Sequence, residues 1–248
     1  MTRMIYACIC LLLGFGPVSA QPTPSAKPPD QNLKKVKEPD LASELMRRAD
    51  LDQECRKDTI RFMARHKLVE PVQTDKLDHA VAATYKSLRK KEQEVDRDNL
   101  AWIKRVVAKH GWPGKSLVGS AAAQSAFLLV QHAASDHEFM EGCLRKMEAA
   151  GRGEVEPMNL AYLTDRVLVL SGKKQKYGTQ LTWKDGVLIV SPIEDEAVVD
   201  ERRKAVGLGP LKDYLKAAEA LYKNAEGVEP RKSLSKQPAA TPPERKQP

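Results

Sequence analysis

The stretch SAAAQSAFLLVQHAA, residues 120–134, decides the fold class of this chain. Stepping about 100° per residue along a helix places a polar arc on one side, at Gln124, Ser125, Gln131 and His132 together with Leu128. The rest of the surface is alanine, phenylalanine, leucine and valine. A helix that is apolar on so much of its surface is enclosed by other parts of the protein. The stretch therefore predicts a central helix whose polar arc faces internal partners, a cleft or bound water.

Helical periodicity continues on both sides of this stretch. Apolar spacing and capping residues predict helices over 41–67, 74–94, 96–111, 120–134, 136–150, 157–170, 196–206 and 210–223, with Thr74, Asp96 and Asp136 as N-caps. From 177 to 190 the period changes to that of strands, and Asp185-Gly186 is typical of a hairpin turn. The sequence thus predicts a mainly α fold, a single multi-helix domain with one small β-hairpin at about 177–190 near its C-terminal end.

The two ends of the chain differ from this domain in composition. Residues 1–20 combine a basic start, an apolar run and a small-residue end, which is typical of a secretory signal peptide cleaved near Ala20-Gln21. The apolar run is shorter than the ~20 residues of a membrane span, so no transmembrane segment is expected. Residues 21–40 and 223–248 contain ten of the sixteen prolines. We expect a Pro-rich linker and a disordered basic tail around one helical domain over 41–222, in an exported (periplasmic or extracellular) protein.

Charge and cysteine content narrow the classes of partner. The chain carries a formal net charge of +8, and most of the basic excess lies outside the helical domain. An exported chain without a basic aromatic face is not expected to bind nucleic acid, whereas its basic tail would contact an anionic surface weakly. Cys55 and Cys143 remain after removal of the signal peptide, and export permits a disulfide between them. Two separate buried thiols are the alternative, and the sequence leaves both open.

Polar side chains on otherwise apolar faces supply the candidate site. For catalysis, His132 is the candidate general base and Tyr177 a candidate hydrogen-bond donor. Asp165 or Asp136 would orient the imidazole. The candidate ligand-binding residues include polar or aromatic groups on the same segments: Trp112, Gln131, Arg166, Gln175 and Gln180. Asp52 and Arg56, an i, i+4 pair on the first helix, are two further candidates. Each has a structural alternative, since buried histidines are usually hydrogen-bonded within the core and buried ion pairs often only join helices.

No sequence motif identifies a metal or a cofactor. The run GWPGKS at 111–116 departs from a phosphate-binding loop, because its first glycine is two residues too close to the second and because a predicted helix, where the motif has a strand, precedes it. Residues 114–119 depart from a nucleophile elbow, because their second glycine is one residue late. His132 and Asp136 have the spacing of two metal ligands on a helix, but a single such pair is common by chance. We therefore expect neither a metal nor a cofactor.

Short motifs in a fixed order carry a family resemblance: Gly-Trp-Pro at 111–113, Gln-His at 131–132, Asp-Arg at 165–166 and Tyr-Gly-Thr-Gln at 177–180. Followed by Asp195, Asp200 and Arg203, they resemble the bacterial family known as domain of unknown function 6624. The resemblance covers about Leu41–Leu215. It implies one domain with a shared cleft, and it implies no particular activity.

Two functional hypotheses from different classes follow. In the first, the cleft binds a small polar or anionic ligand, without breaking a bond, through Arg166, Gln131, Gln180 and Tyr177. In the second, the protein is a hydrolase of a cell-envelope component that uses His132 with an aspartate as an acid–base pair. Binding or a structural role is favoured, because the sequence shows no pair of nucleophile and base and no set of metal ligands.

Overall fold

A computed structural model gives the architecture of the chain and describes residues 6–7, 36–184 and 187–226. The elements follow in the order β1 Tyr6–Ala7, α1 Pro39–His66, α2 His79–His110, α3 Lys115–Gln131, α4 His137–Glu148, α5 Pro157–Leu170, β2 Leu181–Lys184, β3 Val187–Val190, α6 Val199–Ala205 and α7 Leu211–Glu226. Short 3-10 turns at Thr74–Lys76 and Glu196–Val198 precede α2 and α6. The fold is mainly α with a small β-hairpin near the C-terminal end, as the sequence predicts.

Helices α1 to α5 form the larger apolar core. α3 packs on α1, α2, α4 and α5, and Phe127, Leu129 and Val130 on this helix are almost completely buried. Gly119 adopts a φ of +80° and interrupts α3, so its continuous helical part begins at Ser120. The central position that the apolar periodicity of this stretch predicts is confirmed.

The hairpin, α6 and α7 form a second, smaller core. β2 and β3 pair antiparallel with Leu181 opposite Val190, and β1 pairs antiparallel with β2. The side chains that fill this core come from β2, β3, α6 and α7: Leu181, Leu188, Val199, Leu211, Tyr214 and Ala218. α7 also packs on α1, which joins this core to the helical one. The predicted Asp185-Gly186 turn lies outside the described residues.

α2 is a single helix where the sequence predicts two. Residues 89–98 are mostly arginine, lysine, glutamate and glutamine, which are strong helix formers, so the charged run does not end the helix. Asp78 is the N-cap and accepts from two backbone N–H groups of the first turn at 2.9 and 3.3 Å. Thr74 begins a 3-10 turn instead. Asp96 lies within the helix rather than at its start, and its carboxylate contacts Arg56 on α1.

Other local signals act as the sequence predicts. Asp136 caps α4 by accepting a hydrogen bond from the N–H of Phe139 at 3.0 Å. Pro157 lies in the first turn of α5. Gly111 follows the last residue of α2 with a φ of +72°, and its N–H donates to the carbonyl oxygen of Val107.

Cys55 and Cys143 are separate buried thiols, so no disulfide joins them. Burial raises the pKa of the Cys55 thiol to about 11 and that of the Cys143 thiol to about 12. The structure therefore supports the second of the two alternatives that the sequence leaves open.

Most of the two ends of the chain lies outside the described residues. Residues 1–5, 8–35 and 227–248 belong to the predicted signal peptide, linker and tail, which stay predictions. Within the described ranges, no helix is both long enough and apolar enough to cross a membrane.

Candidate functional site

Four polar side chains meet where α1, α2 and α3 pack together. They are Asp52 and Arg56 on α1, Asp96 on α2 and His132 at the end of α3, and we call them the three-helix cluster. Asp52 and Arg56 lie one helical turn apart, as their i, i+4 spacing predicts. Contacts of α1 with both α2 and α3 bring Asp52 against His132, although 80 positions separate them in the sequence.

The carboxylate of Asp52 is the centre of the three-helix cluster. Its two oxygens lie 2.9 and 2.8 Å from His132 Nδ1. Arg56 Nη2 donates to Asp52 Oδ1 at 3.1 Å and also contacts Asp96 Oδ1, while Gln53 Nε2 donates to Asp52 Oδ2 at 3.0 Å. The Asp52 side chain is 0% exposed and that of His132 3%, against 30% for Asp96 and 21% for Arg56. The cluster therefore reaches solvent at Asp96 and Arg56.

The two carboxyl groups of the three-helix cluster have opposite pKa shifts. Burial raises the pKa of Asp52, but the charges and hydrogen bonds of His132 and Arg56 outweigh burial and hold that pKa well below its ordinary value. Burial also raises the pKa of Asp96, and there Arg56 and His132 offset only part of the effect. Asp52 thus stays ionised at neutral pH, and Asp96 takes up a proton more readily. Paired groups with separated pKa values are common in acid–base sites.

The three-helix cluster also has the composition of a metal site. Asp52, Asp96 and His132 each offer one ligand atom, and these atoms lie within 4.8 Å of one another. Two carboxylate oxygens and one imidazole nitrogen suit a first-row divalent cation. The spacing in the sequence indicates His132 and Asp136 as a ligand pair and does not bring these three residues together. The signal in the sequence that could have revealed this set is the polar stripe Glu92, Asp96 and Asn99, which recurs at helical spacing on α2. In the structure all three of these side chains are at least half-buried.

Asp165 belongs to a different polar group, which holds the turn at 175–180. Its carboxylate accepts hydrogen bonds from the N–H groups of Lys176, Tyr177 and Thr179 at 2.7 to 3.1 Å, and from Thr179 Oγ1 at 2.9 Å. Burial raises the pKa of Asp165, and these hydrogen bonds oppose the shift. Asp165 therefore fixes the backbone of the turn. The carboxylate that contacts His132 is that of Asp52, which is neither of the two aspartates, Asp165 and Asp136, that the sequence suggests.

Other elements also bind the 175–180 turn. Gln175 is completely buried, and its Nε2 donates to two backbone carbonyl oxygens at 2.9 and 2.7 Å, on either side of the hairpin. Arg203 on α6 donates to the carbonyl oxygen of Tyr177 at 2.7 Å. The hydroxyl of Tyr214 on α7 donates to another carbonyl oxygen of the turn at 2.8 Å. Gln175 and the backbone of Tyr177 therefore help to join the helical core to the smaller core.

Arg166, adjacent to Asp165 on α5, is a buried cation whose contacts with the described residues include no carboxylate. The residue is 6% exposed, and its Nη1 donates to Oε1 of Gln180 at 3.1 Å. Among the described residues, no carboxylate pairs with Arg166 and its Nε has no hydrogen-bond partner. Gln131 lies on α3, which packs on α5, and is 0% exposed. Within the same described ranges, neither polar atom of the Gln131 amide has a partner.

The remaining predicted site residues occupy structural positions. Asp136 caps α4 and contacts Lys104 Nζ at 2.6 Å, so these contacts give it no part in orienting His132. Trp112 is partly buried against the helical core, so its contacts are those of a packing residue. Asp200 accepts a hydrogen bond from the N–H of Leu211 at 2.7 Å and so ties α6 to α7.

Comparison with known proteins identifies a family. The family described as a family of unknown function (DUF6624) matches residues 74–226, which is more than half of the chain. The matched range includes Asp96, His132, Arg166 and the 175–180 turn, while α1 precedes it. No curated protein and no solved structure matches the chain. The chain therefore belongs to the family of unknown function DUF6624.

Proposed function

We propose that the protein binds a small anionic ligand, with Arg166 as the group that neutralises the ligand's charge. The observation that carries the proposal is a buried arginine, 6% exposed as a residue, whose guanidinium lacks a carboxylate partner within the described residues. Moving a charged group out of water costs several kcal/mol unless opposite charge and hydrogen bonds compensate. A carboxylate or phosphate that accepts from the guanidinium would supply both.

Gln180 and Gln131 favour a polar ligand over a bare ion. Gln180 accepts from Nη1 of Arg166 and so fixes one side of the guanidinium. Gln131 offers a buried donor and a buried acceptor, each without a partner in the described part of the chain. An amide side chain recognises hydroxyl and amide groups, which both donate and accept. A ligand that carries a carboxylate or phosphate beside such groups fits this chemistry.

The buried position of Arg166 limits the size of the ligand. With so little of the residue exposed, only a small anion reaches its guanidinium without a rearrangement of the chain. Burial also strengthens the interaction, because the attraction between opposite charges increases as the effective dielectric constant falls.

The test is thermal unfolding of the full chain with increasing inorganic phosphate or acetate at constant ionic strength. We expect a saturable rise in the unfolding temperature with at least one of these anions, because a ligand that binds only the folded state stabilises it. Arg166→Met should abolish the rise. Arg105→Met, at an exposed arginine of α2, should retain it. The absence of a saturable rise in the wild type, or an equal rise in Arg166→Met, contradicts the proposal.

Hydrolysis of a cell-envelope component is a second candidate, favoured by the contact between Asp52 and His132. A carboxylate at Nδ1 orients an imidazole for general-base catalysis. The test is the release of soluble fragments from purified peptidoglycan, followed by mass spectrometry. Release by the wild type and not by a folded His132→Gln variant supports this candidate, and equal release by both, or none by the wild type, contradicts it.

Export is a further part of the proposal, supported by the composition of residues 1–20. N-terminal sequencing of the protein from fractionated cells tests it. We expect the mature chain to begin at Gln21 and to lie outside the cytoplasm. A cytoplasmic chain that keeps residues 1–20 contradicts export.

A further inference from the structure

We propose that Asp52, Asp96 and His132 form a site for a first-row divalent cation, and that the guanidinium of Arg56 takes the place of the metal when none is bound. The three ligands come from α1, α2 and the end of α3, so the packing of these helices positions them. The site involves different residues from the proposed anion site at Arg166 and does not depend on it.

The contacts of Arg56 locate the cation position. Its Nη2 donates to Asp52 Oδ1 at 3.1 Å and contacts Asp96 Oδ1, and its Nε lies 3.0 Å from His132 Nδ1. The guanidinium therefore contacts all three proposed ligands at once. A metal bound by the same three residues would occupy the same region, so metal binding requires Arg56 to move away.

The contacts of His132 Nδ1 cannot all be hydrogen bonds. This nitrogen lies 2.8 Å from Asp52 Oδ2 and 3.0 Å from Arg56 Nε. If Nδ1 carries a proton, it donates to the carboxylate but faces the N–H of Arg56. If Nδ1 carries none, it accepts from Arg56 but faces the lone pairs of the carboxylate. With the guanidinium present, one of the two contacts is therefore mismatched in either tautomer.

A metal ion in place of the guanidinium removes this mismatch. Nδ1 and an oxygen of Asp52 would then both donate lone pairs to one cation. Their observed separations of 2.8 and 2.9 Å suit neighbouring ligands at right angles, given metal–ligand bonds of about 2.0–2.1 Å. Gln53 donates to the other side of the Asp52 carboxylate and would hold it in position, as residues around metal ligands commonly do.

The charge of the site favours a divalent cation. The two carboxylates together carry two negative charges when ionised, and Arg56 supplies a single positive charge. A divalent ion would balance both carboxylates. One nitrogen and two oxygen donors suit Zn²⁺ or Mn²⁺ better than Ca²⁺ or Mg²⁺, which prefer oxygen ligands alone.

The route for the metal is at the edge of the three-helix cluster that reaches solvent. The side chains of Asp96 and Arg56 are partly exposed, whereas those of Asp52 and His132 are buried. Arg56 can therefore turn towards water when a metal enters. Three protein ligands also leave coordination positions for water, which is the arrangement of metal sites that are not purely structural.

The test is calorimetric titration of the EDTA-treated full chain with Zn²⁺ or Mn²⁺. We expect one equivalent to bind. Asp96→Asn should weaken binding by about tenfold or more, because it removes a charged ligand. Arg56→Met should tighten binding, because no guanidinium has to be displaced. A purely structural role for Arg56 predicts no such gain.

The matched control is His137→Gln, which alters the partly exposed pair formed by His137 Nε2 and Glu141 Oε1 at 3.1 Å. This variant should bind the metal as the wild type does. Mn²⁺ should also broaden the ring signals of His132 far more than those of His79, which lies about 25 Å from Asp96 along α2, in NMR spectra of the wild type, a measurement that needs no variant to fold. Absence of one-equivalent binding, binding that His137→Gln removes, or sharp His132 signals with bound Mn²⁺ overturns the proposal.

Discussion

Gly178 in the 175–180 turn provides a quantitative test of how the two cores are joined. It adopts a φ of +68°, in the left-handed region that side chains disfavour. A Cβ at this position would lie 2.8 Å from Leu211 Cδ1 on α7 and 2.9 Å from Ile193 Cδ1. Gly178→Ala therefore introduces both backbone strain and a steric conflict with the smaller core. Gly172, after α5, has a similar φ of +71°, and a Cβ there meets nothing within 4 Å.

The magnitudes of the two effects can be separated. Left-handed strain for alanine is about 1–2 kcal/mol, and an extra methyl in a packed core costs about 1–3 kcal/mol more. Gly172→Ala should therefore lower the free energy of unfolding by about 1–2 kcal/mol, and Gly178→Ala by about 2–5 kcal/mol. Urea unfolding of both variants beside the wild type, with unchanged slopes, measures the difference. If Gly178→Ala is no less stable than Gly172→Ala, the turn does not pack against Leu211 and Ile193 as described.

Three further predictions concern the burial and the hydrogen bonds of individual side chains. Cys55 and Cys143 should react with an aromatic disulfide reagent only after unfolding, because burial raises both thiol pKa values, and rapid labelling of the native chain would contradict their burial. Glu154 accepts from the N–H of Ser116 at 3.0 Å, and this hydrogen bond holds its pKa below the ordinary value. The stabilisation by ionised Glu154 is therefore present above the ordinary carboxyl pKa and is lost as the pH falls through the lowered pKa. In urea unfolding, the destabilisation by Glu154→Gln should shrink from about pH 6 to about pH 3. A difference that stays constant over this range would refute the prediction. Asp165→Asn should lower the free energy of unfolding by about 2–4 kcal/mol, because an amide turns an N–H towards backbone donors, and a neutral effect would show that Asp165 does not hold the turn.

The local features of the fold can be predicted from the sequence because they depend on neighbouring residues. The apolar stretch at 120–134, the cap Asp136 and the stop at Gly111 each act within a few positions. The continuous α2 is the exception. Asp96 looks like a cap, but its tertiary contact with Arg56 uses the same carboxylate from within a helix.

The candidate site is harder to predict from the sequence than the fold, because its contacts join segments that are far apart in the chain. The sequence singles out both Asp52 and His132, but no spacing shows that they touch across 80 positions. Asp165 and Gln175 have the polar character of site residues, yet the structure uses them to hold a turn. Burial of polar groups thus marks both kinds of residue, and only the partners of each group distinguish them.

The free energy of unfolding of Arg166→Met tests the central claim most directly. In Tris buffer without added phosphate or carboxylate, the buried guanidinium lacks an ionic partner among the described residues. Replacing it with an unbranched apolar side chain should then leave the protein as stable as the wild type or more so. With phosphate or acetate added, the wild type should become the more stable of the two. An Arg166→Met variant that is several kcal/mol less stable without any anion would contradict the account, because Arg166 would then be a structural residue.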